Sequence, residues 1–184
     1  LVGLVILFTS CSKEDLFVGE GTLITKEISM DIFDGIVSYG NNNVTISRGE
    51  VQKVEVTGYS NIIDRLLQDV DNGIWKIELK NGRYKNGDLT INMVLPIINE
   101  VSIHGSGEIL VNDNTSDAHM EVSIYGSGEI RLNKNSGCEN LDVIIEGSGT
   151  VKTFGEFEDL IDLNIETLGS GGFDGFSLSS KTCD

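Results

Sequence analysis

Apolar and polar residues alternate in short runs through the second half of the chain, and the runs recur. Met120, Val122 and Ile124 alternate, followed by Ile130 and Leu132; one repeat later Leu141, Val143 and Ile145 do the same, followed by Val151. A period of two places such side chains on one face of a strand. Gly-Ser-Gly separates the paired runs, as Gly126, Ser127 and Gly128 separate Ile124 from Ile130. The whole phrase occurs at 101–109, 122–130, 143–151 and 165–173, and its first glycines, Gly105, Gly126, Gly147 and Gly169, are spaced 21, 21 and 22 residues apart. A fixed period of that size predicts stacked, nearly identical units.

Helical units are excluded, because Val, Ile, Tyr and Thr cluster around glycine pairs that would each cost about 1 kcal/mol inside a helix. A meander of hairpins would reverse direction at every copy, whereas one repeated corner at a fixed period suits parallel strands stacked in register. The reading that fits is a parallel β-helix, a single solenoid with one coil per repeat. A coil cannot bury its apolar face alone, so stacking and end covers are required.

The first half contains a degenerate fifth copy. Ile36, Ser38, Gly40, Asn42, Val44 and Ile46 align with Val101, Ile103, Gly105, Gly107, Ile109 and Val111, with Asn42 expected at positive φ in place of a glycine. Between this copy and the repeats, residues 61–70 carry Ile62, Ile63, Leu66, Leu67 and Val70 at helical spacing, which predicts one short amphipathic helix with Asn61 at its N-cap and Gly73 past its end. Residues 74–79 and 89–95 read as strands around a polar turn at Asn81 and Gly82, and Pro96 ends the second.

Residues 1–8 are apolar and uncharged, too short to span a bilayer, and lead through Thr9 and Ser10 to Cys11. That pattern predicts a signal-peptide remnant over 1–10, a lipidated Cys11 as in a bacterial lipobox, an anchor and tether over 11–27, and one domain over 28–184. Lys13, Glu14 and Asp15 resemble a surface-export tract of Gram-negative lipoproteins, so the expected address is the outer membrane, lipid-anchored, with display at the cell surface. Cys138 and Cys183 then remain as an even pair that can form a disulfide in an exported chain; a buried free thiol at Cys138 is the alternative.

With 13 basic and 29 acidic residues the chain carries a net charge of −16, which excludes nucleic acid as a partner. The acidic stretch containing Glu156, Glu158, Asp159, Asp162 and Glu166 reads as a solvated face, with divalent cations or a basic partner as the sharper alternative. Stacking turns equivalent positions into columns: His104, Tyr125, Glu146 and Leu168 before the corner, Glu108, Glu129, Thr150 and Gly172 after it. Glu108 and Glu129, about 5 Å apart, could repel, share a cation, or raise one pKa. His104 beside Tyr125 and Glu146 could act in proton transfer. The bland readings, solvated carboxylates and a surface histidine, outweigh both. With His119 as the only other histidine, a His/Cys metal cluster lacks ligands, and no metal or cofactor is expected. The recurring serines, such as Ser127, recur because the corner does, and no nucleophile elbow, Walker loop or dinucleotide fingerprint occurs.

The lipobox-like start, the segment 61–70, the run LPIINEVSIHGSGEI from Leu95 and the Gly-Ser-Gly corners together resemble the head GIN domain family, an adhesin-type group, over roughly residues 28–177. The resemblance implies a right-handed β-helical head on an exported, often lipid-anchored protein, and no catalytic residues to carry over. The expected function is therefore a non-enzymatic envelope lipoprotein whose surface binds a glycan or another envelope protein. A carbohydrate-active β-helix enzyme and a purely structural envelope protein are the alternatives.

Overall fold

Alternating aliphatics and corner glycines decide the architecture. The protein is described by a computed structural model over residues 15–155, 157 and 159–175. Its N-terminal half forms β1 (Leu16–Val18), β2 (Leu23–Ile28), β3 (Gly35–Gly40), β4 (Asn43–Arg48), β5 (Lys53–Tyr59), α1 (Ser60–Ile63), β6 (Val70–Asp71), β7 (Ile74–Ile77), β8 (Arg83–Lys85) and β9 (Thr90–Leu95). The repeats follow as β10 (Glu100–Gly105), β11 (Glu108–Val111), β12 (Asn114–Thr115), β13 (His119–Gly126), β14 (Glu129–Leu132), β15 (Asn135–Ser136), β16 (Asn140–Gly147), β17 (Thr150–Thr153), β18 (Asp162–Gly169) and β19 (Gly172–Asp174). Over the described residues the protein is thus all-β with one short helix.

Each repeat places its first arm in a seven-stranded sheet, ordered β18-β16-β13-β10-β3-β7-β6, and its second arm in an eight-stranded sheet, ordered β19-β17-β14-β11-β4-β9-β5-β2. Neither sheet closes on itself. Neighbouring repeats pair parallel and in register: Val101 opposite Val122, Val122 opposite Val143, Val143 opposite Ile165. The fifth copy takes the aligned register, with Ile36 opposite Val101, Gly40 opposite Gly105 and Val44 opposite Ile109. The inward residues Met120, Val122, Ile124, Ile130 and Leu132 are buried, and they join one continuous core that extends to Phe33 and Trp75.

The corner explains its own composition. Gly126 has φ 145, and a Cβ there would lie 2.3 Å from the carbonyl oxygen of Gly105 one rung away. Gly128 is excluded from bearing a side chain by packing alone, since its Cβ would meet Ile103 Cγ2 at 2.8 Å. The first glycine therefore supplies conformation and clearance, and the second supplies clearance.

Four expectations for the first half are corrected. The sheets are mixed: β6 pairs antiparallel with β7, and β5 with β9 and β2, so the chain is not one parallel stack from end to end. These returning strands cover a rung whose open edge would otherwise template other chains. The helix over 61–70 is a single turn, Ser60–Ile63; Leu66 bridges Leu79 and Val70 pairs with Trp75, so apolar residues at helical spacing serve as strand fragments instead. Asn61 caps nothing, its amide binding the Val18 carbonyl at 2.7 Å, and Gly73 with Asn72 (φ 51) forms the tight turn between β6 and β7. Asn42 is not at positive φ; among described non-glycine residues that backbone occurs at Asn72 and Asn86.

Residues expected in the tether also join the fold. β1 pairs with β8, Phe17 stacks on Tyr84 with ring centroids 5.6 Å apart, and the Arg65 guanidinium sits 3.5 Å over the Phe17 ring. No helix among the described residues is long and apolar enough to cross a membrane.

Candidate functional site

Strand alternation turns the residue before each corner outward, and register stacks these residues. Tyr39, His104, Tyr125, Glu146 and Leu168 form one column. The His104 ring lies 4.9 Å from Tyr39 and 4.6 Å from Tyr125, spacings set by the rung separation of parallel strands. All three rings are half-buried, while Glu146 is exposed at the end of the aromatic run. His104 and Tyr125 are thus neighbours in the column, while Glu146 lies two rungs from His104 with Tyr125 between them. Tyr39 was missed, although the alignment of Ser38 and Gly40 with the repeat already put it in this column.

After the corner, Glu108 stands opposite Glu129, and two residues on, Arg131 stands opposite Lys152. Arg131 Nη1 lies 2.9 Å from Glu108 Oε1 while its Nε donates to Glu129, and Lys152 Nζ donates to Glu129 Oε2 at 2.7 Å. Burial pushes the Glu129 carboxyl up, but the hydrogen bonds and charges of Lys152 and Arg131 together outweigh it and hold the group below the usual carboxylate range. The raised pKa envisaged for one member of this pair is therefore not found at Glu129, and bases occupy the place envisaged for a shared cation. Each such half-buried pair contributes about 1 kcal/mol or less, but the ladder fixes a patterned polar edge.

Cys138 is buried, its Sγ 3.3 Å from the Asn140 carbonyl oxygen, and burial pushes its thiol up. Cys11 and Cys183 lie outside the described residues. His119 opens β13, with Nε2 3.7 Å from Asp142. Among the described residues no group of three or more His, Cys, Asp or Glu is placed to hold a metal ion.

A cleft of about 790 Å³ opens where the stack of corners ends. The first corner, with Tyr39, Asn41 and Asn42, forms one wall, and residues 78–89 form the other. Here the chain from β7 to β9 makes an excursion through β8 instead of a tight Gly-Ser-Gly turn, so no corner lies beneath Gly40, and a Cβ there would meet nothing within 4 Å. Asn42 ties the walls together: its amide donates to the Tyr39 carbonyl at 2.8 Å and its oxygen accepts from Leu89 N at 3.1 Å. On the far wall Arg65 Nε donates to Tyr84 Oη at 2.7 Å, and that hydroxyl donates to the Lys80 carbonyl. Tyr39 joins the cleft to the aromatic column.

A crystal structure of a putative lipid binding protein from Parabacteroides distasonis is similar to this chain, with a TM-score of 0.69 and 22% identity, covering 91% of this chain and 79% of that one. A putative adhesin from Parabacteroides merdae matches with a TM-score of 0.48 and 13% identity over 88% of this chain and 99% of that one. A putative adhesin from Bacteroides fragilis matches with a TM-score of 0.47 and 13% identity over 86% and 99%. No curated protein matches the chain. The family described as putative auto-transporter adhesin, head GIN domain, matches residues 32–184, and the chain belongs to it.

Proposed function

We propose that this member of the head GIN domain family is a non-enzymatic protein of the cell envelope, anchored to the outer membrane through a lipidated Cys11, whose right-handed parallel β-helix presents a surface for binding or adhesion. The observation that carries the reading is the in-register edge along the corners, with Tyr39, His104 and Tyr125 stacked before the corner and the Glu108–Arg131–Glu129–Lys152 ladder after it. A rigid, repeated array of aromatic and paired polar groups suits recognition of an extended partner. The adhesin description of the family supports the same role.

The carbohydrate-active enzyme is the weaker reading. Glycoside hydrolysis needs one carboxyl as acid and a second as base or nucleophile. Glu129 is tied to both Arg131 and Lys152, and Glu108 to Arg131.

The test uses cells making the chain with its own N-terminus, together with the purified protein on arrays of polysaccharides and envelope proteins. Membrane retention that is lost in Cys11→Ala supports the anchor, and retention in the variant rejects it. Array binding without new polysaccharide chain ends supports the binding reading. Release of chain ends overturns it in favour of an enzyme, and silence on both arrays leaves the structural envelope role.

A further inference from the structure

We infer that the cleft at the first corner is a binding site for an uncharged saccharide unit, N-acetylated sugars included. The inference deepens the binding reading above and rests on it. Its volume, about 790 Å³, is that of a small-ligand pocket, and its walls are tied by the Asn42, Arg65 and Tyr84 hydrogen bonds, so it exists before any ligand arrives. Two further main-chain bonds brace the outer wall, from Leu67 N to the Glu78 carbonyl and from Lys80 N to the Arg65 carbonyl, each 2.9 Å.

The lining chooses the ligand class. Leu66, Ile77 and Leu89 are buried, so half-buried Leu79 is the one leucine or isoleucine of the lining that faces the opening, amid a polar rim. An acyl chain would strip water from the polar rim without replacing its hydrogen bonds. The charged groups are the carboxylates of Asp15, Glu78 and Asp88 against the single ammonium of Lys80, in a chain of net charge −16. Phosphate, sulfate or uronate would meet repulsion there. What remains is a ligand with many hydroxyl or amide groups and one apolar face.

The polar groups match that ligand. Asn42 is engaged with Ser38, Tyr39 and Leu89, but the side-chain amides of Asn41, Asn81 and Asn86 bond to no other described residue, so each still offers a donor and an acceptor at the rim. Tyr39, held by His104, adds an aromatic surface for the C–H face of a sugar ring.

The full chain is screened against an array of neutral, N-acetylated, sulfated and uronate-containing oligosaccharides, with phosphatidylcholine and phosphatidylglycerol vesicles and an array of envelope proteins alongside. Binding of neutral or N-acetylated sugars is expected, weakened about tenfold by Asn41→Ala with Asn81→Ala and unchanged by Val51→Ala, an exposed position outside the cleft lining. An Asn41→Trp variant that fills the opening should abolish it, and the melting temperature of each variant reports folding. Saccharide binding indifferent to all cleft variants overturns the inference but leaves the binding reading intact. Preference for the anionic sugars or the vesicles overturns it likewise, as does binding confined to envelope proteins. Silence toward sugars, vesicles and envelope proteins overturns both.

Discussion

The corner at Gly126 and the corner at Gly40 have the same backbone role and opposite surroundings. Gly126 lies on Gly105 so closely that a methyl group would strike its carbonyl oxygen, while Gly40 faces open space. The difference comes from the rung beneath: a copy of the corner in one case, the excursion over residues 78–89 in the other. Repetition packs identical turns against each other and leaves no concavity. A cleft appears where the repetition stops, so the repeats provide the ordered columns and the irregular half provides the cavity.

The most damaging way to probe this contrast uses one column of the core at its middle and at its far end. Val143 is 1% exposed and Ile165, its neighbour in register, is 41% exposed. Val143→Asp buries a carboxylate without a partner and should cost several kcal/mol, enough to unfold a domain whose total stability is about 5 to 15 kcal/mol. Ile165→Asp should cost below about 1 kcal/mol. Urea denaturation followed by circular dichroism reads both. Equal losses would mean that the last rung is as enclosed as the middle ones.

Next in size is the pair of corners themselves. Gly126→Ala meets backbone that no side-chain rotation can relieve, and a loss of about 3 kcal/mol is expected. Gly40→Ala suffers only from its φ of 87, a loss of about 1 to 2 kcal/mol. A Gly40→Ala variant as unstable as Gly126→Ala would show that the cleft is filled in solution.

The same contrast explains what could be read from residues alone. In the repeats every rung sees the same environment, so Ile36, Gly40 and Val44 could be assigned partners at Val101, Gly105 and Ile109 before any coordinates. The charge ladder is legible too, because Arg131 and Lys152 each follow the post-corner position by two residues and so share its outward face. In the irregular half the apolar spacing of Ile62, Ile63, Leu66 and Val70 suits a helix, but pairing with Leu79 and Trp75 overrides it. Asn72-Gly73, a strong hairpin signal, lay just beyond the misread segment. Alternation gives which face a residue takes and says nothing of whether its strand runs parallel or antiparallel, so the mixed sheets were hidden. The cleft was hidden as well, since it arises from a corner that is missing rather than from residues that recur.

The smallest expected effects separate the two sheets by pH. Glu129, on the ladder, has a carboxyl held below its ordinary range by Lys152 and Arg131 despite burial. Its contribution to stability is present above the unfolded-state pKa and is lost as pH falls through the lower folded-state value. Glu100, on β10, is the reverse case: burial, then the charges of Glu121 and Asp34, push its carboxyl up. In the folded protein it holds a proton more tightly than in the unfolded chain, so ionising it costs stability above the folded-state pKa, and that cost disappears below the unfolded-state value. At pH 7 Glu129→Gln should lower the melting temperature and Glu100→Gln should raise it, with both differences shrinking as the pH is taken below the carboxylate range. A melting temperature left unchanged or raised by Glu129→Gln at pH 7 would mean that Arg131 and Lys152 do not neutralise the edge in solution, and the ladder would then be a row of independent, solvated side chains.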